Sequence, residues 1–482
     1  MNRRRFLTRV AGAAVGAAGM HLLGRTAGAA ETERPPNVLF ILCDDLGWGD
    51  LRCYGHTVIR TPNLDRLAAQ GTLFTQFYVN SAVCSPSRTA FMTGQYPARH
   101  RIHGHLARPE LNANRGMPNW LDPKAVTVTR LLQQAGYKTA HFGKWHLGGG
   151  DGAPDPGAYG FDAHRTLNSA GPGYEEAQKD PYFRAKSTGL FVDDALEFIE
   201  SNRDRPWYVN LWTLVPHATL HPTEEDMEPY RRLAPAARLP YKGALQIYYG
   251  TVTALDRDLG RLLKRLDELG QAENTLVVFS SDNGPEDIHI GNATHSGVGS
   301  PGPFRGRKRS LYEGGIRMPF IVRWPGHVPA GRVETEPVLT AVDFLPTVCR
   351  LAGAAVPDDY AGDGEDASDV LLGKSRPRTK PIFWEWRFRV HGYTIHRCPM
   401  LAVRDGPWKL LMNPDRSRVE LYHVPQDPSE VDNQASAHPE IVERLAAPLL
   451  AWQKTLPEGP VEDAAGQRGY RWPAPKAGGP VR

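Results

Sequence analysis

The sequence predicts an α/β protein: a largely parallel sheet covered by helices on both faces, followed by a smaller antiparallel sheet and a helix. Three observations predict it. The runs Asn37–Cys43, Trp207–Leu214 and Asn274–Ser280 are predominantly apolar without the alternation of a half-exposed strand, as expected for strands covered on both faces. Each run stops at a group of polar side chains: Asp44-Asp45, then His217 after Val215-Pro216, then Ser281-Asp282-Asn283-Gly284. That is the rim where parallel strands meet their loops and α/β proteins place their sites. Beyond Pro381 the pattern changes to short strands, 381–386, 400–404, 408–411 and 420–423, separated by turns such as Asp405-Gly406-Pro407, and then a helix from about Glu440 to Lys454.

Length and composition bound the rest. A chain of 482 residues exceeds what one core usually fills. The expected division is a catalytic domain over 31–373 and a C-terminal subdomain over 374–482, with a Gly-, Asp-, Ser- and Pro-rich stretch from Ala361 to Lys380 between them. A hydrophobic content of 41% with 23% charge is ordinary for a soluble protein, and a net charge of +4 is too small to argue for nucleic acid. Residues 1–30 read as a signal peptide: Arg3-Arg4-Arg5-Phe6-Leu7 precedes an Ala/Gly/Val/Leu run and a small-residue Ala27-Gly28-Ala29 site. Its paired arginines resemble the twin-arginine export class. No later stretch is long and apolar enough to span a membrane, so the expected product is exported, periplasmic or extracellular. Five cysteines are too few for a disulfide framework. Only the tail after Leu456 is Pro/Gly-rich enough to be loose.

In chain order, two adjacent carboxylates, Asp44 and Asp45, close the first buried strand, an expensive arrangement unless something positive lies between them. Thr61-Pro62 opens a helix that closes at Gly71 and delivers the chain to Cys84. Cys84-Ser85-Pro86-Ser87-Arg88 reads as a turn opening a helix, placing Cys84 at the helix's positive end. Its spacing to Arg88 is too short for the loop of a cysteine-dependent phosphatase. A helix from Val126 to Ala135 and a strand from Lys138 to Phe142 lead to Gly143-Lys144-Trp145-His146. On an extended segment Lys144 and His146 leave from the same face and grip one anion. The helix from Ala244 to Leu269 carries a leucine stripe for packing. Asp44, Asp45, Asp282 and Asn283 supply oxygens only, a set suited to Ca²⁺ or Mg²⁺ rather than Zn²⁺. A thiolate at Cys84 is a poor partner for such an ion. The basic run Arg305–Arg309 is read as a solvated loop that allows one lysine, Lys308, to turn inward before the strand 319–322.

The ordered set Asp44-Asp45, Cys84-Ser85-Pro86-Ser87-Arg88, Gly143-Lys144-Trp145-His146-Leu147-Gly148, His217, Ser281-Asp282-Asn283-Gly284 and Lys308 with Glu313-Gly314-Gly315 resembles the motifs of the formylglycine-dependent sulfatases over residues 36 to 435. Glu420-Leu421-Tyr422-His423 with Asp427-Pro428 is similar to that family's C-terminal segment, with His423 in place of the usual acid. The resemblance implies an alkaline-phosphatase-like mixed, largely parallel fold. It also implies oxidation of Cys84 to formylglycine by a formylglycine-generating enzyme, and a Ca²⁺ (Mg²⁺ as the alternative) held by Asp44, Asp45, Asp282, Asn283 and the modified Cys84. In that scheme the aldehyde hydrate attacks sulfur, Arg88 orients it, and Lys144, His146, His217 and Lys308 bind the sulfate. His217 or Lys308 protonates the departing alcohol, and His146 takes the remaining proton.

Two other readings share parts of this pattern. A phosphoester or phosphonate hydrolase of the same superfamily keeps the metal and the modified cysteine. A non-catalytic sulfated-glycan-binding protein keeps the basic residues but has no use for Cys84 or the metal oxygens. The segments Trp384–Arg389 and Tyr393–Arg397 interleave aromatic and cationic side chains, which predicts a sulfated carbohydrate substrate, with Arg387 and His396 at a subsite.

Overall fold

The computed structural model describes residues 34–233, 243–290 and 295–471. The expected signal peptide over 1–30 lies outside the described residues. From Pro35 onward the described residues form one compact unit.

The fully buried strand β1 (Asn37–Asp44) sits in the middle of a nine-stranded sheet with β2 (Thr72–Tyr78), β3 (Lys138–Lys144), β4 (Ala163–Leu167), β5 (Trp207–Pro216), β6 (Thr275–Ser281), β7 (Arg317–Arg323), β8 (Arg332–Glu334) and β9 (Leu339–Thr340). Their spatial order is β4-β3-β5-β1-β6-β7-β2-β8, with β9 beside β2. Only β7 runs against its neighbours β6 and β2; the other described pairings in this sheet are parallel. The sheet is therefore mixed and largely parallel, as expected.

The unbroken apolar character of β1 follows from its two covered faces. Val38, Phe40 and Leu42 enter one core, to which the helices Cys84–Thr93, Val128–Gln134 and Phe344–Ala352 contribute. Leu39, Ile41 and Cys43 enter the opposite core with the helices Pro62–Ala69, Phe183–Ser201 and Ala244–Glu268. Burying each large apolar side chain is worth about 1.5–3 kcal/mol, so β1 stays apolar from Val38 to Cys43 and its carboxylate comes only at the end, at Asp44.

The small sheet is an antiparallel meander of β10 (Ile382–Glu385), β11 (Leu401–Asp405), β12 (Trp408–Met412) and β13 (Glu420–His423), with the helix Pro439–Gln453 packed on it. Trp384 fastens it to the large sheet: its ring is buried and its Nε1 donates to the Val79 carbonyl at 2.7 Å. A buried ion cluster joins the same two bodies. Glu313 and Glu430 both take Lys409 Nζ, at 2.9 and 2.8 Å, and Glu313 also accepts from Tyr78 and Arg317 at 2.6 and 3.2 Å.

Three expectations change. The tail beyond Leu456 is not loose through residue 466: Arg387 donates to the Pro457 carbonyl at 3.0 Å, Arg389 N to Glu462 at 2.7 Å, and Ala465 is buried. The basic run 305–309 is not solvated. Arg305 stacks on Tyr312 with its guanidinium 3.7 Å from the ring centre, and Arg307 donates to the carbonyls of Glu286, Gly297 and Gly299. Lys144 and His146 do not share an extended face, because β3 ends at Lys144 and His146 turns left-handed at φ 58°. All five cysteines are free.

Candidate active site

Parallel strands deliver their carboxyl ends to one rim, and here four of them carry chemistry: β1 ends in Asp44 and Asp45, β6 leads to Asp282 and Asn283, β3 ends in Lys144, and β5 leads to His217. β2 runs the same way and passes through Asn80–Val83 to Cys84. Because β7 is reversed, its amino end lies at this rim, and the residues just before it bring in Lys308. Asp45 takes the left-handed conformation at φ 66°, rare for a side chain with a Cβ, which turns the second carboxylate of the pair out of line with the strand. Gly143, at φ 108°, lies so close to β5 that a Cβ there would meet the Trp212 carbonyl oxygen at 2.0 Å; the approach requires glycine just before Lys144.

Cys84 is the first residue of the helix Cys84–Thr93, whose ten residues are all buried. Its Sγ and one oxygen each from Asp44, Asp45 and Asp282 lie within 4.8 Å of one another. One turn along, Arg88 donates through Nε and Nη2 to Asp282 Oδ2 at 3.0 and 2.8 Å, and through Nη1 to the Lys144 carbonyl at 2.5 Å. Lys144 Nζ donates to Asp44 Oδ2 at 2.7 Å, and Lys308 Nζ donates to both oxygens of Asp45 at 2.6 and 2.7 Å. Asn283 Nδ2 donates to Asp45 Oδ1 at 2.7 Å. His217 donates from Nδ1 to the Ala218 carbonyl at 2.8 Å, which leaves Nε2 3.8 Å from Asp45 Oδ2. His146 donates from Nε2 to the Leu106 carbonyl at 3.0 Å, and its buried Nδ1 has no hydrogen-bond partner among the described residues. The ten residues assigned from the sequence to the metal, nucleophile and sulfate, Asp44, Asp45, Cys84, Arg88, Lys144, His146, His217, Asp282, Asn283 and Lys308, thus fall in one neighbourhood.

The electrostatics are those of a crowded, dry site. Burial pushes the Asp44 carboxyl up, but Lys144, His217 and Arg88 outweigh it and hold the group well below the usual carboxylate range. Burial dominates at Asp45, which is raised, and at Asp282, raised to about 6. The Cys84 thiol is pushed up to about 12 by burial, against the lowering fields of Lys144 and Lys308, so an unmodified Cys84 stays protonated. Two buried oxygens, Asp44 Oδ1 and Asn283 Oδ1, lack a hydrogen-bond partner among the described residues. Orphaned buried oxygens in an all-oxygen donor set fit a hard divalent cation.

Sequence reasoning missed three contributors. Glu286 is buried 3.6 Å from Lys308 and accepts from Arg309 Nη2 at 3.0 Å, so it sets the position of both cations. Arg184 donates to the carbonyls of Leu214 and His217 at 3.0 and 2.9 Å and steadies the strand end that presents His217. Leu106 links the nucleophile helix to His146: its N–H donates to Ser85 Oγ at 2.9 Å while its carbonyl receives His146. Glu286 carried a signal, since it stands just past the Asp282–Gly284 motif.

A family model described as Sulfatase matches residues 36–354. The chain belongs to the sulfatase family. A second model, N-sulphoglucosamine sulphohydrolase C-terminal, matches 304–455 of this sulfatase. It is 31% identical to N-acetylgalactosamine-6-sulfatase of Canis lupus familiaris, over 90% of this chain and 88% of that protein. It is 34% identical to human arylsulfatase A, over 80% of this chain and 76% of that protein. The solved structure of Ps i-CgsB in complex with k-i-k-neocarrahexaose superposes with a TM-score of 0.73 at 26% identity, over 90% of this chain and 95% of that one. The sulfatase is a sulfuric ester hydrolase, with the α/β fold of its alkaline-phosphatase-like relatives. Among the described residues no helix is long and apolar enough to cross a membrane.

Proposed function

We propose that this sulfatase removes sulfate from a carbohydrate, using an oxygen nucleophile made from Cys84. The observation that carries the reading is the convergence of Cys84 with three carboxylates and two lysines at the rim. The Cys84 sulfur marks the place of the reactive oxygen: oxidised to formylglycine by a formylglycine-generating enzyme, position 84 supplies an oxygen that attacks sulfur. Asp44, Asp45, Asp282, Asn283 and the modified residue 84 would hold Ca²⁺, with Mg²⁺ as the alternative, and the ion supplies positive charge against the sulfate oxygens.

The protein's own residues do the remaining work. Asp44, Asp45, Asp282 and Glu286 face Arg88, Lys144, Lys308 and Arg309, four carboxylates against four cations, so a divalent ion tips the site positive and favours an anionic ester. Arg88, clamped on Asp282 and the Lys144 carbonyl, orients position 84. Lys144 and Lys308 bind sulfate oxygens and stabilise the charge that builds on them. With Nδ1–H held by the Ala218 carbonyl, His217 directs Nε2 at the leaving alcohol oxygen, but burial lowers its pKa to about 3, so it donates there only after taking up a proton; Lys308, kept protonated by Asp45, is the other donor. With Nε2–H held by Leu106, His146 uses Nδ1 to take the proton released as sulfate departs.

A cavity of about 370 Å³ supports a saccharide substrate, with Trp386 and Phe388 presenting rings beside Arg309 and Arg389. Arg387 and His396 do not line it. Arg387 is buried against Glu385 and the Pro457 carbonyl, and His396 accepts from Gly306 N at 3.2 Å. The same reading includes export to the periplasm or beyond, on the basic start and the following apolar run. It keeps the division into 31–373 and 374–482.

Mass analysis of the Cys84 peptide from active enzyme tests the chemistry, and a panel of nitrophenyl sulfate and sulfated monosaccharides tests the substrate. The expected results are an aldehyde mass in place of the thiol, and kcat/KM roughly tenfold or more higher on a sugar. Full activity with only an alkylatable thiol would overturn the first, and preference for the aryl ester the second.

A further inference from the structure

The cavity beside the rim is more than a hydrophobic shelf. Its inner wall is one residue from the catalytic constellation on two sides. His105 precedes Leu106, the residue that ties Ser85 to His146, and Arg309 follows Lys308. Its outer wall comes from the tail at Pro460–Glu462.

The charges on these walls do not balance. Arg309 is committed to Glu286, and Arg389 is committed to Glu462. Arg115 has no carboxylate within ion-pair distance among the described residues. Its recorded contacts are a weak donation from Nη1 to the His105 carbonyl at 3.3 Å and the Phe388 ring 5.2 Å from its guanidinium carbon. Burial lowers its pKa, and Arg309 nearby adds to that while Glu462 opposes it. His105 and His391 are held neutral by burial, both at about 3, so the arginines supply the wall's positive charge. A half-buried guanidinium with N–H groups unclaimed by any carboxylate, beside the Phe388 ring in a ligand-sized cavity, is built to receive a planar or tetrahedral anion.

We infer that this cavity is a subsite for a second anionic group on the substrate, a carboxylate or a further sulfate of the same saccharide, and that Arg115 is the cation pairing with it. The inference rests on the carbohydrate reading and narrows it to polyanionic saccharides. The sugar packs in the cavity against the surface that Trp386 and Phe388 form together, their rings in edge contact at 5.2 Å, while its second anion turns toward Arg115 and the sulfate to be cleaved reaches past Arg309 to Lys308.

Calorimetric titration separates this from the parent reading. The probes are a monosulfated disaccharide, a disulfated one, and a monosulfated one bearing a uronate, each titrated into metal-loaded protein that is wild type at 115 and into Arg115→Gln and Arg115→Lys, all three carrying Cys84→Ser for the titrations so that no probe is hydrolysed. Nitrophenyl sulfate turnover is followed in parallel. Wild type is expected to bind at least one doubly charged probe roughly tenfold or more tighter than the monosulfated one. Arg115→Gln should erase that preference, with nitrophenyl sulfate kcat/KM within about twofold of wild type, and Arg115→Lys should keep most of it. Comparing the disulfated and uronate probes says which anion fits. An unchanged preference in Arg115→Gln, equal loss on all three probes, or no preference in wild type would overturn the subsite. Failure to turn over nitrophenyl sulfate or any saccharide would count against the parent reading alone, because the binding ratios are read without turnover.

Discussion

The rim and the junction between the two sheets both bury dense clusters of charge, yet they are finished differently. At the junction each oxygen of Glu313 and Glu430 has a cation or a donor within 3.2 Å: Lys409 Nζ at 2.9 and 2.8 Å from one oxygen of each, Tyr78 and Arg317 at the second of Glu313, and the Glu313 backbone N–H at 2.6 Å from the second of Glu430. At the rim, Asp44 Oδ1 and Asn283 Oδ1 have no hydrogen-bond partner among the described residues, Arg88 comes no nearer Asp44 Oδ1 than 3.8 Å, and the His217 side chain is 32% exposed. Similar chemistry serves as a rivet where it is saturated and as a site where binding capacity remains.

The largest expected effect tests that contrast at the rim. Asp45→Asn removes a charge while Lys308 keeps Glu286 beside it, so kcat should fall roughly 10³-fold or more, with a stability change within about 1 kcal/mol once both proteins are stripped of divalent ions. Steady-state kinetics and urea unfolding of the same preparation check both halves, and near-normal kcat would make the rim a second rivet. Chelation comes next: stripping divalent ions should abolish turnover and lower Tm, and Ca²⁺ should restore both. Saturation at 100-fold over Kd would be worth about 2.7 kcal/mol. If Tm ignores the chelator, the orphaned oxygens are not a cation site.

At the junction the expectation reverses. Glu313→Gln leaves Lys409 and Arg317 short of a buried counter-charge and should cost about 3–5 kcal/mol in urea unfolding, with kcat of the folded enzyme unchanged. The smallest effect is at Glu430. Burial and the nearby Glu313 raise its pKa against the pull of Lys409, whereas at Glu313 burial is outweighed by Lys409, Arg317 and Arg404, which lower it. Glu313 therefore contributes stability above the ordinary carboxylate range that is lost as pH falls toward its depressed value. Glu430 contributes stability below that range that is lost as pH rises toward about 7. Glu430→Gln should remove the second trend and gain on the order of 3 kcal/mol relative to wild type as pH rises from 4.5 to 7. Parallel pH–stability curves for the two proteins would refute it.

The two clusters also differ in how far the sequence disclosed them. Asp44-Asp45 and Asp282-Asn283 were legible because a fully apolar strand makes the first polar pair after it conspicuous, and the order of motifs supplied the rest. The junction was illegible as a junction. Glu313 was visible as part of a motif, but nothing local shows that Lys409, inside a short strand, and Glu430, in a turn, converge on it. The basic run 305–309 shows the same limit: one lysine was foreseen to turn inward, but stacking on Tyr312, donation to three carbonyls and pairing with Glu286 depend on segments distant in sequence or in fold. Trp384 and Arg387 were foreseen at a pocket and are instead packed inside, because the strand alternation that places Trp386 at the cavity says nothing of which neighbours cover the rest.

The reversal of β7 also sets a clock on synthesis. Cys84 is only 2% exposed in the folded chain, and Lys308, held on Asp45 beside it, arrives 224 residues later in the sequence (308 − 84). At about 5–20 residues per second, the ribosome takes roughly 11–45 s to cover that stretch, during which the turn around Cys84 has neither the rim nor its lid of later strands over it. The oxidation of Cys84 proposed above would have that interval in which to act on an open peptide, and once it ends the thiol is buried at the start of its helix beneath the rim.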